Sequence, residues 1–193
     1  MTPPLRPVLC ISLALLLAGC GGGKEKFYRL SAVDAAATGG SSSSGPSVAV
    51  GPVLLPSYLD RPELVFASGP NEFQVPSNAL WIGSLQENIS RTMAADLGRA
   101  VHSRNVRPAL GTRFAARYRV SLEIKQFHGI SGQEAVLDLS WRIQSGASGR
   151  TISRHSGSFR ARIVGDGYAP LVAAESDLLA QAARSIAVSL PGR

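Results

Sequence analysis

Apolar and polar residues alternate with period two over residues 117–127. Tyr118, Val120, Leu122 and Ile124 fall on one side, and Arg117, Arg119, Ser121, Glu123 and Lys125 on the other. Residues 134–143 repeat the pattern, setting Ala135, Leu137, Leu139, Trp141 and Ile143 against Asp138, Ser140 and Arg142. Each stretch predicts a half-buried strand, and the turn at 129–132 predicts that the two form a hairpin. A Ser-Gly-Ala-Ser-Gly turn at 145–149 leads to a third strand over 151–163, where Phe159, Ala161 and Ile163 keep the period best. Elsewhere the spacing changes. Trp81, Leu85, Ile89, Met93 and Leu97 recur every four residues, with Gln86, Glu87, Arg91 and Asp96 off the stripe. That predicts a helix capped by Ser77 or Asn78 and ended by Gly98 or Asn105. Tyr168, Val172, Leu179, Ala183, Ile186 and Leu190 predict a long C-terminal helix, entered through Gly165-Asp166-Gly167 and Pro170. Shorter strands are expected at 27–30, 48–55 (interrupted by Gly51-Pro52), 64–66 and 73–75. The order of strands, helix, three meandering strands and helix predicts an α+β fold, an antiparallel-rich sheet with two helices packed on one face.

The first residues do not fit this pattern. Val8 to Ala18 is an apolar run too short to span a bilayer but of signal-peptide length, and Arg6 precedes it. It ends in Leu17-Ala18-Gly19-Cys20, which resembles the bacterial lipobox. The expected events are cleavage between Gly19 and Cys20 and attachment of diacylglycerol and a further acyl chain, such as palmitate, to Cys20. Gly21, rather than Asp, follows the cysteine, and by resemblance to other lipoproteins this favours the outer membrane over the inner. The expected organisation is a signal peptide at 1–19, then an anchor, short strand and flexible tether at 20–46, and a single domain at 47–193. The tether is read from the low-complexity run at 35–46. Cys10 leaves with the signal and Cys20 carries lipid, so the mature domain is expected to fold without a disulfide.

Within 193 residues, 20 basic and 13 acidic side chains give a net charge of +7. Maturation removes Arg6 alone, so 19 basic and 13 acidic side chains leave a surplus of six. The surplus is mostly arginine, and Arg117 and Arg119, like Arg160 and Arg162, share a strand face. Either these are solvated faces or they form a patch for anionic head groups or phosphate. An exported lipoprotein does not meet nucleic acid, which removes that class of partner.

Catalytic chemistry finds little purchase. His102, His128 and His155 have no ligand-like pairing and read as surface or loop residues, so no metal is expected. No Gly-x-Ser-x-Gly elbow is present. Gly23-Lys24 lacks the first glycine of a phosphate loop and is followed by Glu25, so no nucleotide or other cofactor is expected. Asn88-Ile89-Ser90 matches a glycosylation sequon only by chance, lying in a predicted helix. The segment 51–65 stands out instead. It places several prolines around Tyr58, Leu59, Asp60, Arg61 and Pro62 between strands, either as a rigid crossing or as a partner-binding loop.

These residues also carry a resemblance. Phe27-Tyr28-Arg29-Leu30, Val48-x-Val50-Gly51-Pro52-Val53 and Pro56-x-Tyr58-Leu59-Asp60-Arg61-Pro62 resemble the ABC-type transport auxiliary lipoproteins, the family of the paraquat-inducible lipoprotein C. So do Trp81-x-x-x-Leu85, Tyr118-x-Val120 with Phe127, Leu137-x-Leu139-x-Trp141, and the helix that opens Gly167-Tyr168-x-x-Leu171 and closes at Ile186-Ala187. Leu80 and Ala67 depart from the family, which commonly has arginine or another polar residue there. The resemblance implies a non-enzymatic component of an envelope system that moves phospholipid or another hydrophobic molecule. Its implied partners are a periplasmic MCE-domain protein and an ABC permease and ATPase. Its implied role is docking the MCE component at the outer membrane or receiving lipid, and ring assembly of this chain follows by analogy. The alternatives are a structural or assembly lipoprotein of another envelope machine, and a hydrolase whose site forms only in the fold.

Overall fold

The computed structural model describes residues 24–33, 45–111, 114–130 and 134–191. Gly19, Cys20 and the rest of the lipobox, with most of the 35–46 run, lie outside the described residues. The elements in chain order are β1 (Lys26–Tyr28), β2 (Val48–Leu54), β3 (Phe66–Gly69), β4 (Glu72–Gln74), β5 (Ala79–Trp81), α1 (Leu85–Ala100), β6 (Val106–Pro108), β7 (Tyr118–Ile130), β8 (Glu134–Ser145), β9 (Thr151–Arg162) and α2 (Tyr168–Ser189).

The long strands form where alternation is cleanest. β7, β8 and β9 make an antiparallel meander, in register from Tyr118 opposite Ser145 and from Glu134 opposite Arg162. The opposite edge of β7 is shared. β2 runs parallel to its first half and β3 parallel to its last residues, with β6 outside β2 and β4 folded back on β3. The result is a mixed sheet whose long ladders are antiparallel. Val50, Val120, Leu122, Leu139 and Ile143 line its inner face, and Leu97, Leu178, Leu179 and Ile186 reach them from the two helices, all buried in one cluster. Burial of one large aliphatic side chain contributes roughly 1.5–3 kcal/mol, so this interlocked layer is what sets the strand register.

The first helix starts later than its apolar stripe suggests. Trp81 is extended, pairs with Tyr28 and donates its N–H to the Pro62 carbonyl at 2.7 Å, so it belongs to β5 rather than to the helix. Gly83, at φ 74°, breaks the strand. Ser84 then caps α1, its hydroxyl accepting the Glu87 N–H at 3.2 Å, in place of Ser77 or Asn78. The helix continues past Gly98 and stops at Ala100, short of Asn105. β5 and β6 were not anticipated from the pattern. Each has three residues, too few to show a period.

Residues 30–33 lie against both helices. Leu30 is buried, the Ser31 N–H donates to Ser176 Oγ at 3.2 Å, and the Val33 N–H donates to Asp96 Oδ1 at 3.1 Å. Arg99 adds a bond to the Val33 carbonyl at 3.0 Å and an ion pair to Asp96 at 2.8 Å. The segment that follows the expected anchor is therefore fastened to the domain. β1 is a strand of a small second sheet with β5, and Glu63 bridges to Leu80 on β5's other side.

Candidate functional site

β2 pairs with β7 as far as Glu123 and β3 only from Gly129, and Tyr58 lies against the end of the stretch between them. There β7 is irregular. Its register with β8 shifts between Ile124 and Gln126, so Lys125 and Gln126 are both exposed. A bulge of this kind re-aims every side chain after it. Phe127 turns inward and is buried, while His128 turns to the outer face, in register with Val136 and Arg160.

Tyr58 covers His128 there. Its hydroxyl lies 3.2 Å from His128 Nδ1, and the two rings meet edge to face at 6.1 Å. Phe73, from β4, packs on both rings, at 5.3 Å from Tyr58 and 5.1 Å from His128. Burial pushes the Tyr58 hydroxyl above its ordinary pKa, and Asp138 adds to the effect. Burial and then the nearby Arg160 lower that of His128, while Asp138 pulls the other way. A protonated hydroxyl facing a neutral imidazole makes one hydrogen bond in either tautomer, the hydroxyl donating to a bare Nδ1 or accepting from Nδ1–H. Both shifts move the pair away from proton transfer at neutral pH and toward a fixed aromatic platform.

The platform forms one wall of an open cleft of about 530 Å³, lined also by Ala67, Ser68, Lys125, Gln126 and Ile130. Phe73 is 47% exposed and Ile130 38%, so the cleft presents apolar surface to solvent beside the Lys125 ammonium. Behind it, Arg160 pairs with Asp138 at 3.1 Å and approaches Glu134 at 3.9 Å. Burial works against the Asp138 charge, but bonds from Ser158 and Arg160 outweigh it and keep its carboxyl below the ordinary value.

The five segment residues have different fates. Tyr58 is half-buried in the platform and Leu59, only 2% exposed, is a core anchor. Asp60, Arg61 and Pro62 are exposed, Arg61 pairs with Glu63 at 3.4 Å, and the Pro62 carbonyl holds β5. The structure adds Phe73, His128, Lys125 and Ile130. His128 is no surface or loop residue, because β7 buries it under Tyr58. His155 is exposed and stacks on Trp141 at 5.5 Å, and His102 is exposed with φ 52°. Arg160 and Arg162 share the outer sheet face, facing Val136 and Glu134, whereas Arg117 precedes β7. Arg142 and Arg154 stand directly opposite each other on that face too. Among the described residues, no group of three or more His, Cys, Asp or Glu could hold a metal, and no helix is long and apolar enough to cross a membrane.

The fold recurs in solved structures. An uncharacterized protein of known crystal structure superposes with a TM-score of 0.69 at 18% identity, covering 86% of this chain and 99% of its own. A Xanthomonas campestris protein does so with a TM-score of 0.64 at 14% identity, covering 84% of this chain and 92% of its own. These likenesses concern the fold alone. No curated protein matches the sequence. A family model described as the ABC-type transport auxiliary lipoprotein component matches residues 28–187. That span runs from β1 almost to the end of α2 and contains the whole platform, and the chain belongs to this family of transport auxiliary lipoproteins.

Proposed function

We propose that this protein is a non-enzymatic, outer-membrane lipoprotein of an MCE and ABC-type envelope lipid-transport system. It is anchored through acyl chains on Cys20 and docks the periplasmic MCE-domain partner at the Tyr58 cleft. The observation that carries the reading is the aromatic platform in which exposed Phe73 packs on half-buried Tyr58 and buried His128, with Tyr58 supplied by the segment that the family resemblance singles out. Its rings are held by packing and a hydrogen bond before any partner arrives, which lowers the ordering cost of binding. Half-exposed Phe73, the Tyr58 ring and exposed Arg61 are residue types enriched at protein-docking surfaces. An acyl chain is better served by an enclosed, mostly apolar cavity. The open cleft and its Lys125, Gln126 and Ser68 lining therefore favour docking over lipid carriage.

Photocrosslinking in intact cells tests this, with a photoreactive residue at position 73. The expected product is a covalent adduct with an MCE-domain protein. Crosslinks confined to other envelope proteins, with phospholipid recovered on the purified protein, would point to a different machine or a lipid-receiving role.

A further inference from the structure

The small sheet of β1 and β5 has an outward side that none of the described residues covers. Phe27 lies opposite Leu80 in that sheet and is 59% exposed. Ile82, two residues past Leu80 and bonded through its N–H to the Tyr28 carbonyl at 2.8 Å, is 56% exposed. The inward residues Tyr28, Leu30 and Trp81 pack on the core, so this two-strand layer is rigidly held while its outer side stays apolar. Around it the chain is basic. Lys24, Lys26 and Arg29 are exposed, with Glu25 the one acid among them. Two of the chain's three lysines therefore fall within six residues of Cys20.

Chain length restricts what this patch can meet. Four Cα–Cα steps separate Cys20 from Lys24, at most about 14 Å of fully extended backbone. A folded unit of this size has a radius of gyration of about 15 Å, so the link is shorter than the molecule is wide. An acyl anchor on Cys20 accordingly holds the β1–β5 edge near the leaflet and keeps the far side away. Exposed aromatic and aliphatic side chains ringed by lysine and arginine suit a headgroup boundary, where the rings and stems enter the apolar layer and the cations stay with phosphate.

We infer that the outward side of β1 and β5, centred on Phe27 and Ile82, with Arg29 on that side and Lys24 and Lys26 at its edge, rests on the anionic phospholipid leaflet that holds the anchor. This contact fixes how the domain is oriented at the membrane. The inference rests on the lipid-anchored reading above but not on the identity of any protein partner.

The test uses the mature lipidated protein in vesicles of phosphatidylethanolamine and phosphatidylglycerol, with nitroxide labels on F27C, I82C or I152C. Ile152, on β9, is the exposed control. The expected result is that labels at 27 and 82 are shielded from an aqueous paramagnetic quencher and accessible to oxygen, while the label at 152 stays open to the aqueous quencher. Charge reversal of Lys24 and Lys26 to Glu should reduce the shielding at 27 several-fold. Equal aqueous access at 27 and 152 would overturn the proposal, as would shielding at 27 that persists without vesicles. Mass spectrometry of the N-terminal peptide separates the two readings: an unmodified Cys20 contradicts the anchor itself, whereas a lipidated Cys20 with a water-exposed residue 27 contradicts this contact alone.

Discussion

Tyr58 and Leu59 are neighbours in the chain that do different work. Leu59 is in the core, where truncation to alanine costs about 2–5 kcal/mol, so its loss would unfold the segment rather than report on a partner. Tyr58 instead satisfies His128 while turning its ring toward the cleft. Replacing Tyr58 by Phe keeps the ring and leaves His128 Nδ1 without its hydrogen-bond partner. The expected cost is about 1–2 kcal/mol in urea denaturation, with docking retained because the aromatic surface remains. Little of this was legible in the sequence. Phe73 comes from β4 and His128 from β7, and only the bulge at Lys125-Gln126 brings them to one face. Two polar residues in succession were the one visible sign that the alternation changes phase there.

Among the elements, those with one buried face and a long period were the ones that could be read. Val120, Leu122 and Ile124 in β7, and Leu137, Leu139 and Trp141 in β8, can be buried on one face in one register only. The beginning of α1 was harder because Trp81 continues the stripe without belonging to the helix. Its burial comes from pairing with β1, and a four-residue spacing cannot distinguish that from a helical turn. The cap, expected at Ser77 or Asn78, lies instead at Ser84, although Ser84-Leu85-Gln86-Glu87 has the serine and glutamate spacing of a capping box. Ser84→Ala should lower stability by about 1 kcal/mol, and Ser84→Asp should restore it, both read by thermal denaturation. Gly146 illustrates a demand invisible in a linear reading. A side chain there would run into the Ala116 carbonyl, because the turn after β8 donates its Gly146 N–H to Arg117 at 2.9 Å.

For the molecule taken together, burial of acids shapes the response to pH. Glu175 is 2% exposed on α2, its Oε2 has no hydrogen-bond partner, and burial alone pushes its carboxyl well above the ordinary range. Burial likewise raises Asp96 from 3.8 to about 6, against the pull of Arg99, the Val33 N–H and Arg184. For both, the folded state binds its proton more tightly than the unfolded chain. Their contribution is fully present below the unfolded values near 4 and is lost as pH rises through the folded value, about 6 for Asp96 and well above the ordinary glutamate range for Glu175. His128 acts oppositely. Its lowered value makes its contribution present above 6.5 and lost as pH falls toward the folded value. Glu175→Gln removes this titrating group, so the fall in Tm as pH rises above the ordinary glutamate range should be flatter in the variant than in wild type, read by thermal denaturation across pH.

The arrangement of the molecule puts the β1–β5 edge beside the expected anchor and leaves the Tyr58 cleft open on the outer face of the sheet. Docking at that cleft is the central claim. Its most direct test is recovery of the MCE-domain protein with the lipidated chain from detergent-solubilised membranes, comparing wild type with Phe73→Asp. Phe73 is half-exposed and contributes no core contact beyond the platform, so the variant should fold with an unchanged circular dichroism spectrum. The account predicts abundant MCE protein with wild type and at least a tenfold loss with Phe73→Asp. Equal recovery of MCE protein with both would contradict it.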